Sequence, residues 1–550
     1  MTVSNQVGHG VSFRFKKNAA IGEPDAESDG KYLAACFVDT GDYDALADVE
    51  QPQRIIVGRT GAGKSALISY LRTDKDHVIE ISPEDLSLNY LCNSDVIPKL
   101  EAAGVRLDIF YGLLWKHVLA VELLRRKYQL NTEERTSSWL SNFLERLRGR
   151  DQSKERAFRY LKDWGDKFWQ ETEYRIKEVT EKLESDIKAE LGAKFGVFDT
   201  KASAGAKINA EQKIEAVNHA QRVVNSIQVK ALSDVLHLLA DEVFNDEQQA
   251  YYVVIDRLDE GWVEDSLRYK LIRALIEAIK TFRSVPSVKI VIALRYDLIQ
   301  SVFDKTRDGG FQEEKYQALF LHLRWTPANL EQMLDKRISK LVSEQYTTRP
   351  VKLRELFPDS IGKARFVDYL FNRTLYRPRD AIAFVNECLR RSEGRGEVTV
   401  QTVREAEQEY SRQRLASLIH EWINHYPRLS EYFELLERMP GSFKFSSISK
   451  DKLEEFALKM AGNGDSERDP VAKAACAMLN GGSPHQMVVV WAKALYMTGV
   501  LGIKADSFNS PSWAYADMQI PTDGQIKPSS TAYVHQMLWA RLGIREPSKF

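Results

Sequence analysis

The sequence predicts an α/β fold on a mostly parallel sheet with helical additions, and three stretches carry that prediction. In "RIIVGRTGAGKSALISYL", Arg54 to Leu71, apolar residues run into a turn holding three glycines and leave it in a stretch of helical type. In "QQAYYVVIDRLDEGW" a β-branched and aromatic run, Tyr251 to Ile255, ends on Asp256. In "VPSVKIVIALRYDLI" a further apolar run, Val288 to Leu294, ends on Arg295. The two later runs alternate too little to face water on one side, which is the pattern of strands covered on both faces.

The first stretch also carries chemistry. Gly58 to Ser65 match G-x-x-x-x-G-K-[ST], the phosphate-binding loop of P-loop NTPases. The expected nucleotide-binding set is therefore Gly58, Arg59, Thr60, Gly61, Ala62, Gly63, Lys64 and Ser65, with Ala66 directly behind. Glycines let successive backbone N–H groups converge on an anion, because a Cβ resists the φ values required. The helix starting near Gly63 points its N-terminal N–H groups at the same oxygens. Lys64 adds a point charge for the β- and γ-phosphates, and Ser65 offers a hydroxyl to Mg²⁺. The apolar strand before the loop and "SALISYL" after it supply the context the motif needs. ATP and Mg²⁺ are the expected cofactors.

Such a loop needs an acidic strand end as its partner, and Asp256 is the candidate for holding Mg²⁺ through water. Many ATPases of this type place a second carboxylate next, whereas here the residue is Arg257. Asp259 and Glu260 follow after Leu258. One of them can turn back as general base, with Glu260 preferred, or both can serve the start of the next helix. Arg295, ending its strand, is a candidate γ-phosphate sensor through its planar fork, against a simple pairing with Asp297. Downstream, "LYRPRDAIAFVNECLRR" sets Arg377 and Arg379 around Pro378 at a marked helix start. Either arginine can reach a nucleotide from a lid, or pair structurally with Asp380 or Glu387.

Composition limits the partners. Across 550 residues, Lys+Arg 77 against Asp+Glu 78 gives a net charge of -1, so no global field draws the chain to nucleic acid or anionic lipid. No apolar run approaches the roughly 18 residues of a membrane span, and "MTVSNQVGHG" lacks the apolar centre of a signal peptide. A cytoplasmic protein with no membrane partner is expected. The four cysteines, Cys36, Cys92, Cys388 and Cys476, stand far apart, and the ten histidines show no H-E-x-x-H spacing. Neither a disulfide framework nor a zinc site is expected.

The length suits several domains. Residues 1–130 are read as an N-terminal segment and the first part of the core, including a strand in "HVIEIS" and a helix in "FYGLLWKHVLAVELLRRKY". Residues 131–240 read as a large helical insertion, with apolar stripes at Ile176, Val179, Leu183, Ile187 and Leu191 and at Ile214, Val217, Val224 and Ile227. Residues 241–325 complete the core, 326–395 form a helical lid, and 396–550 form an α-helical and winged-helix-like region. In that last region "HQMVVVWAKALYMTGVLGIKADSFNSPSWAYADMQI" reads helix, strand, loop, strand, and "STAYVHQMLWARLGI" reads as a closing amphipathic helix. Charges after residue 395 are about balanced, so the basic footprint of a DNA binder is missing there.

The motif order "GRTGAGKS", "VVIDRLDE", "VIALRYD", "LHLRWTPANLEQMLDKRI" and "RPRD" resembles the P-loop ATPases that include the STAND and KAP groups. More narrowly, "GRTGAGKSAL" with "VVIDRLDEGW" and "YRPRDAI" resembles the bacterial and prophage Fun(Z)-like P-loop ATPases, over roughly residues 35 to 395. The resemblance implies an ATP-driven switch with a role in phage exclusion or defence, acting on an unidentified protein partner or within a homo-oligomer. Two alternatives stay open. One is a DNA-binding ATPase of initiator or transposition-regulator type, and the other is a nucleotide-gated scaffold with little hydrolysis, which Arg257 suggests.

Overall fold

The computed structural model describes residues 14–83, 106–130, 137–147, 151–165, 229–246, 248–306, 313–343, 350–462, 468–517 and 520–544. Both apolar stripes expected inside the helical insertion lie outside these residues, as does Cys92. The chain divides into two compact units, one made of Gly41–Gly58 and Leu67–Leu323, the other of Met1–Thr40, Arg59–Ala66 and Arg324–Phe550.

The first unit is built on a five-stranded sheet. Its strands are β1 (Ile55–Gly58), β2 (Val78–Ile81), β3 (Tyr251–Ile255), β4 (Val288–Arg295) and β5 (Phe320–His322), in the order β2-β3-β4-β1-β5. All pairings are parallel. β4 is thus the additional strand inserted between β1, which leads into the phosphate loop, and β3, which Asp256 directly follows. Burial explains the composition: every residue of β1 and β3 is buried, and β4 is buried up to Arg295. The exception within β4 is Lys289, whose ammonium is satisfied by backbone carbonyls of Ala45 at 2.7 Å and Asp48 at 2.5 Å. A buried charge is tolerated here because acceptors replace its water, and those bonds hold the 41–48 segment to the strand.

Helices cover this sheet. α1 (Lys64–Asp74) follows the phosphate loop, and α2 (Asp108–Lys127) is apolar nearly all round and correspondingly buried. Trp115 of α2 donates to the carbonyl of Leu271 at 2.8 Å, fixing α2 against the long helix α6 (Asp265–Phe282). Between them in the chain lie α3 (Ser137–Leu147), α4 (Gln152–Trp164) and α5 (Val229–Leu238), the described part of the predicted insertion. Phe158, Leu161, Leu232 and Val235 belong to the same apolar core as the sheet. α7 (Tyr296–Lys305) leads from β4 toward β5.

The second unit starts with α8 (Pro327–Ser343), followed by α9 (Phe366–Phe371), α10 (Pro378–Arg390) and the long α11 (Val400–Trp422). α10 begins on Pro378 as its sequence announces. The N-terminal segment packs here too: Arg337 of α8 forms a buried ion pair with Asp29 at 2.5 Å and donates to the carbonyl of Ile21 at 2.9 Å. Beyond α11 come β6 (Ser442–Lys444), α12 (Lys450–Ala461), α13 (Pro470–Leu479), α14 (Pro484–Met497), β7 (Leu501–Lys504) and β8 (Thr531–Val534). The three strands are antiparallel in the order β6-β8-β7, which with the preceding helices gives the winged-helix-like arrangement.

One element differs from the sequence reading. The second strand of the wing is not in "PSWAYADMQI" but in "STAYV", the start of the segment read as a closing amphipathic helix. Ala532 and Val534 are buried while Thr531 and Tyr533 are partly exposed, a period of two that forms a strand. Among the described residues only short helical turns, Gln536–Leu538 and Trp539–Leu542, follow it.

Candidate functional site

Within the sheet-bearing unit, three expected site residues stand at the C-terminal edge of the strands, where open α/β sheets bind ligands. Gly58 ends β1 in register with Arg295 of β4, and Asp256 directly follows β3. The turn after Asp256 is tightly specified. Arg257 adopts φ 60°, its N–H donates to the Asp256 carboxylate at 2.8 Å, and the N–H of Glu260 donates to the Arg257 carbonyl at 3.1 Å. Leu258 is fully buried, and its carbonyl accepts from the Trp262 indole at 3.1 Å. From α6, Arg268 donates to the carbonyl of Glu260 at 2.9 Å and pairs with Asp265 at 2.7 Å. Arg268 has no sequence motif around it; only its place one turn into the next helix could have drawn notice.

The two candidate bases point to different partners. Glu260 faces Arg257 at 3.8 Å, with both side chains about half exposed. Asp259 lies 3.9 Å from Arg295, whose guanidinium is held by Asp297 in a bidentate pair at 3.0 and 2.9 Å. Arg295 is therefore oriented by Asp297, the pairing weighed from sequence, while one of its nitrogens faces Asp259.

Arg59 to Ala66 belong to the second unit, and their surroundings there are unusually well anchored. Gly61 and Gly63 adopt φ +77° and +99°, the left-handed backbone that the glycines of such a loop are there to provide. Lys64 reaches across the loop to the Arg59 carbonyl at 3.2 Å. Three carbonyls or groups of the loop are held from outside. Arg377 donates to Thr60 O at 2.8 Å, the Trp325 indole donates to Ala62 O at 2.8 Å, and Arg59 itself donates to Thr498 O at 2.7 Å. A Cβ on Gly61 would lie 2.7 Å from Cβ of Arg379, so that glycine also makes room for the "RPRD" turn.

The two arginines that flank Pro378 consequently differ. Arg377 is buried and bound to Asp380 at 2.8 Å and Glu421 at 3.2 Å. Asp380 is fully buried and also pairs with Arg414 at 3.1 Å. Burial pushes the Asp380 carboxyl up, but the charges of Arg377 and Arg414 and the bonds they donate outweigh it and hold it well below the usual carboxylate range. Arg379 is about a third exposed, with its guanidinium 3.5 Å from Asp25. Trp325, Thr498 and Gly499 were not foreseen; Trp325 at least stands conspicuously just past β5.

The strand order, the glycine loop opening a helix and the acidic strand end define an α/β P-loop fold with helical additions. Residues 328–419, from α8 through most of α11, match the FunZ-associated C-terminal helical domain. Over 549 residues, 96% of this chain and 67% of the other, the chain is 22% identical to a putative transposon gamma-delta 80.3 kDa protein of Escherichia coli strain K12. Among solved structures, it resembles a Walker-type ATPase of Pyrococcus abyssi at TM-score 0.34 and 11% identity, over 87% of this chain and 93% of that one. It also resembles the ORC2 protein of Aeropyrum pernix, in ADPNP and ADP complexes, at TM-score 0.31 and 12% identity over 91% and 90%. At such scores the fold assignment rests on the sheet and the loop themselves. Among the described residues no helix is long and apolar enough to cross a membrane.

Proposed function

We propose that the chain binds ATP with Mg²⁺, hydrolyses it, and passes its nucleotide state to a protein partner. The observation that carries this reading is the loop Gly58–Ser65, which leaves β1, turns through Gly61 and Gly63 at positive φ and opens α1 at Lys64. That backbone suits a polyphosphate: its N–H groups can converge on an anion, and a side chain at either glycine would be strained. Bound Mg²⁺ supplies charge neutralisation on the phosphate oxygens. The Lys64 ammonium holds the β- and γ-phosphates, and the Ser65 hydroxyl and Asp256 carboxylate are the assigned metal-holding groups. Glu260 takes the proton of the attacking water on its carboxylate, and Arg295 offers its guanidinium to the γ-phosphate. Arg377 positions the loop through Thr60, whereas Arg379 is the lid arginine with an exposed guanidinium. The FunZ-type match over 328–419 supports the resemblance that implies a role in phage exclusion.

A second reading, a DNA-handling ATPase, is favoured by the name of the E. coli relative, which assigns that protein to a transposon. Against it stands α14, the helix a winged-helix reader would lay in the major groove. Met487, Val488, Val489, Trp491, Leu495 and Tyr496 are buried, and Lys493 is paired with Asp523. Phosphate release measured with and without duplex DNA separates the readings: turnover indifferent to DNA fits the switch, and strong stimulation by DNA fits the alternative.

A further inference from the structure

A cleft of about 490 Å³ opens within the second unit, a size in the range of small-molecule sites. Five rings wall it: Tyr376, Trp513, Tyr515, Tyr533 and Trp539. The walls are built in. A Cβ on Gly441 would lie 2.6 Å from the Trp539 ring and one on Gly502 would lie 2.4 Å from Trp513, so both indoles are seated directly on glycine backbone. Trp513, Tyr515 and Tyr376 follow one another at centroid distances of 5.5 and 6.1 Å, a continuous row of rings. Tyr376 joins the row from a backbone at φ 50°, which a non-glycine residue adopts only under constraint.

The polar residues on the same walls are Asn372, Ser442, His535 and Gln536, and among the described residues no Asp, Glu, Lys or Arg joins them. Two of the four carry donors that the chain leaves without a partner. His535 is buried, and its Nδ1 accepts the N–H of Met537 at 3.2 Å. Burial, opposed by the charge of Asp380 and joined by those of Arg59, Arg377 and Arg373, pushes this imidazole down to about 3. A neutral ring whose Nδ1 accepts keeps its proton on Nε2. Gln536 accepts from the Arg373 guanidinium through Oε1 at 2.9 Å, and since an arginine only donates, the amide N–H groups are at the other end. Among the described residues neither the Nε2–H of His535 nor the amide nitrogen of Gln536 has an acceptor. The Trp539 indole, by contrast, is satisfied by the Val534 carbonyl at 2.9 Å and serves as wall.

Rings that stack, donors without acceptors and no charge on the walls together ask for a flat, uncharged ligand that carries acceptors. A quaternary ammonium would want a carboxylate beside the rings, and here the charges of three arginines reach His535 instead. The hydroxyls of a sugar would want carboxylate acceptors, and a nucleic-acid strand would want cations for its phosphates. A nucleobase with carbonyl oxygens supplies both the face and the acceptors. We propose that this cleft binds a free nucleoside whose base bears carbonyl groups, such as guanine or thymine. The base stacks on the Trp513–Tyr515 row, and its carbonyl oxygens take the N–H groups of His535 and Gln536. This inference stands on the cleft alone and not on the nucleotide reading of the phosphate loop.

Isothermal titration of the full chain with guanosine, thymidine and adenosine tests it. Guanosine and thymidine should bind with dissociation constants on the order of 100 µM, the strength expected of ligands this small. Adenosine, which has no carbonyl, should bind about fivefold more weakly or worse. Trp513→Ala removes a stacking wall and should cost about tenfold or more. Gln536→Glu keeps an oxygen for Arg373 but sets a carboxylate where the ligand's carbonyl belongs, so thymidine should weaken by about tenfold while the thermal midpoint does not fall. A thymidylate strand of about 15 nucleotides should bind no more tightly, per nucleotide, than thymidine. No nucleoside binding up to about 2 mM, adenosine binding as well as the others, thymidine affinity unchanged in Gln536→Glu, or a strand that binds about tenfold more tightly per nucleotide would each overturn the proposal.

Discussion

The guanidinium of Arg59, second residue of the phosphate loop, donates to the carbonyl of Thr498 at 2.7 Å, in the turn between α14 and β7. The next residue, Gly499, has φ +81°, and a Cβ on it would stand 2.6 Å from Nη1 of Arg59. The turn is thus shaped around that side chain, and a contact 439 residues apart in sequence ties the loop to the wing. Arg59→Ala should cost about 1.5–3 kcal/mol, the range for a hydrogen bond to a charged donor. If the tie carries nucleotide state, hydrogen exchange at residues 498–504 should change on adding ATP in the wild type and stay unchanged in Arg59→Ala. Gly499→Ala should also destabilise the fold, by about 1–3 kcal/mol from backbone strain alone.

Asp380 holds Arg377 and Arg414 together in a site closed to water. Replacing it by Asn leaves two buried guanidinium groups short of their counter-charge, and a loss of about 3–5 kcal/mol is expected in chemical denaturation. The pH dependence follows from the direction of the shift. A carboxyl whose native pKa is depressed contributes stability that is present above its unfolded value, about 3.9, and lost as pH falls through the native one. The wild type should therefore lose this increment only in strong acid, and Asp380→Asn should lack that component of the acid transition.

The displaced carboxylates can be told apart by turnover. Glu260→Gln keeps shape and removes charge, so ATP affinity should hold while hydrolysis slows by on the order of 10²-fold, the size of lost general-base catalysis. Asp259→Asn removes the charge facing Arg295 at 3.9 Å and should slow turnover less. A larger effect from Asp259→Asn would exchange the two roles.

Much of the core was legible because buried parallel strands read as apolar runs, with the marking residue at the end of β1 and β4, Gly58 and Arg295, and directly after β3, Asp256. The position of Pro378 announced α10 for an equally local reason. What stayed hidden is long-range. Asp29 with Arg337, and Trp325 with Ala62, meet across hundreds of residues, and no local pattern marks either pair. The strand at Thr531–Val534 was missed because four residues of alternation are too few to outweigh the helix-like "HQMLWARL" that follows. The Arg257 turn, with its left-handed φ and the Arg268 anchor, is likewise a product of tertiary contacts.

The most direct test is ATP binding and turnover by purified, folded protein, wild type against Lys64→Ala. Lys64 sits at the head of α1 and spans the loop, and no backbone group can replace its charge. The wild type should bind ATP with Mg²⁺ and release phosphate, and the variant should keep the same circular dichroism while binding weakly and releasing none. Near-normal binding and turnover in Lys64→Ala would contradict the assignment of this loop as the nucleotide site.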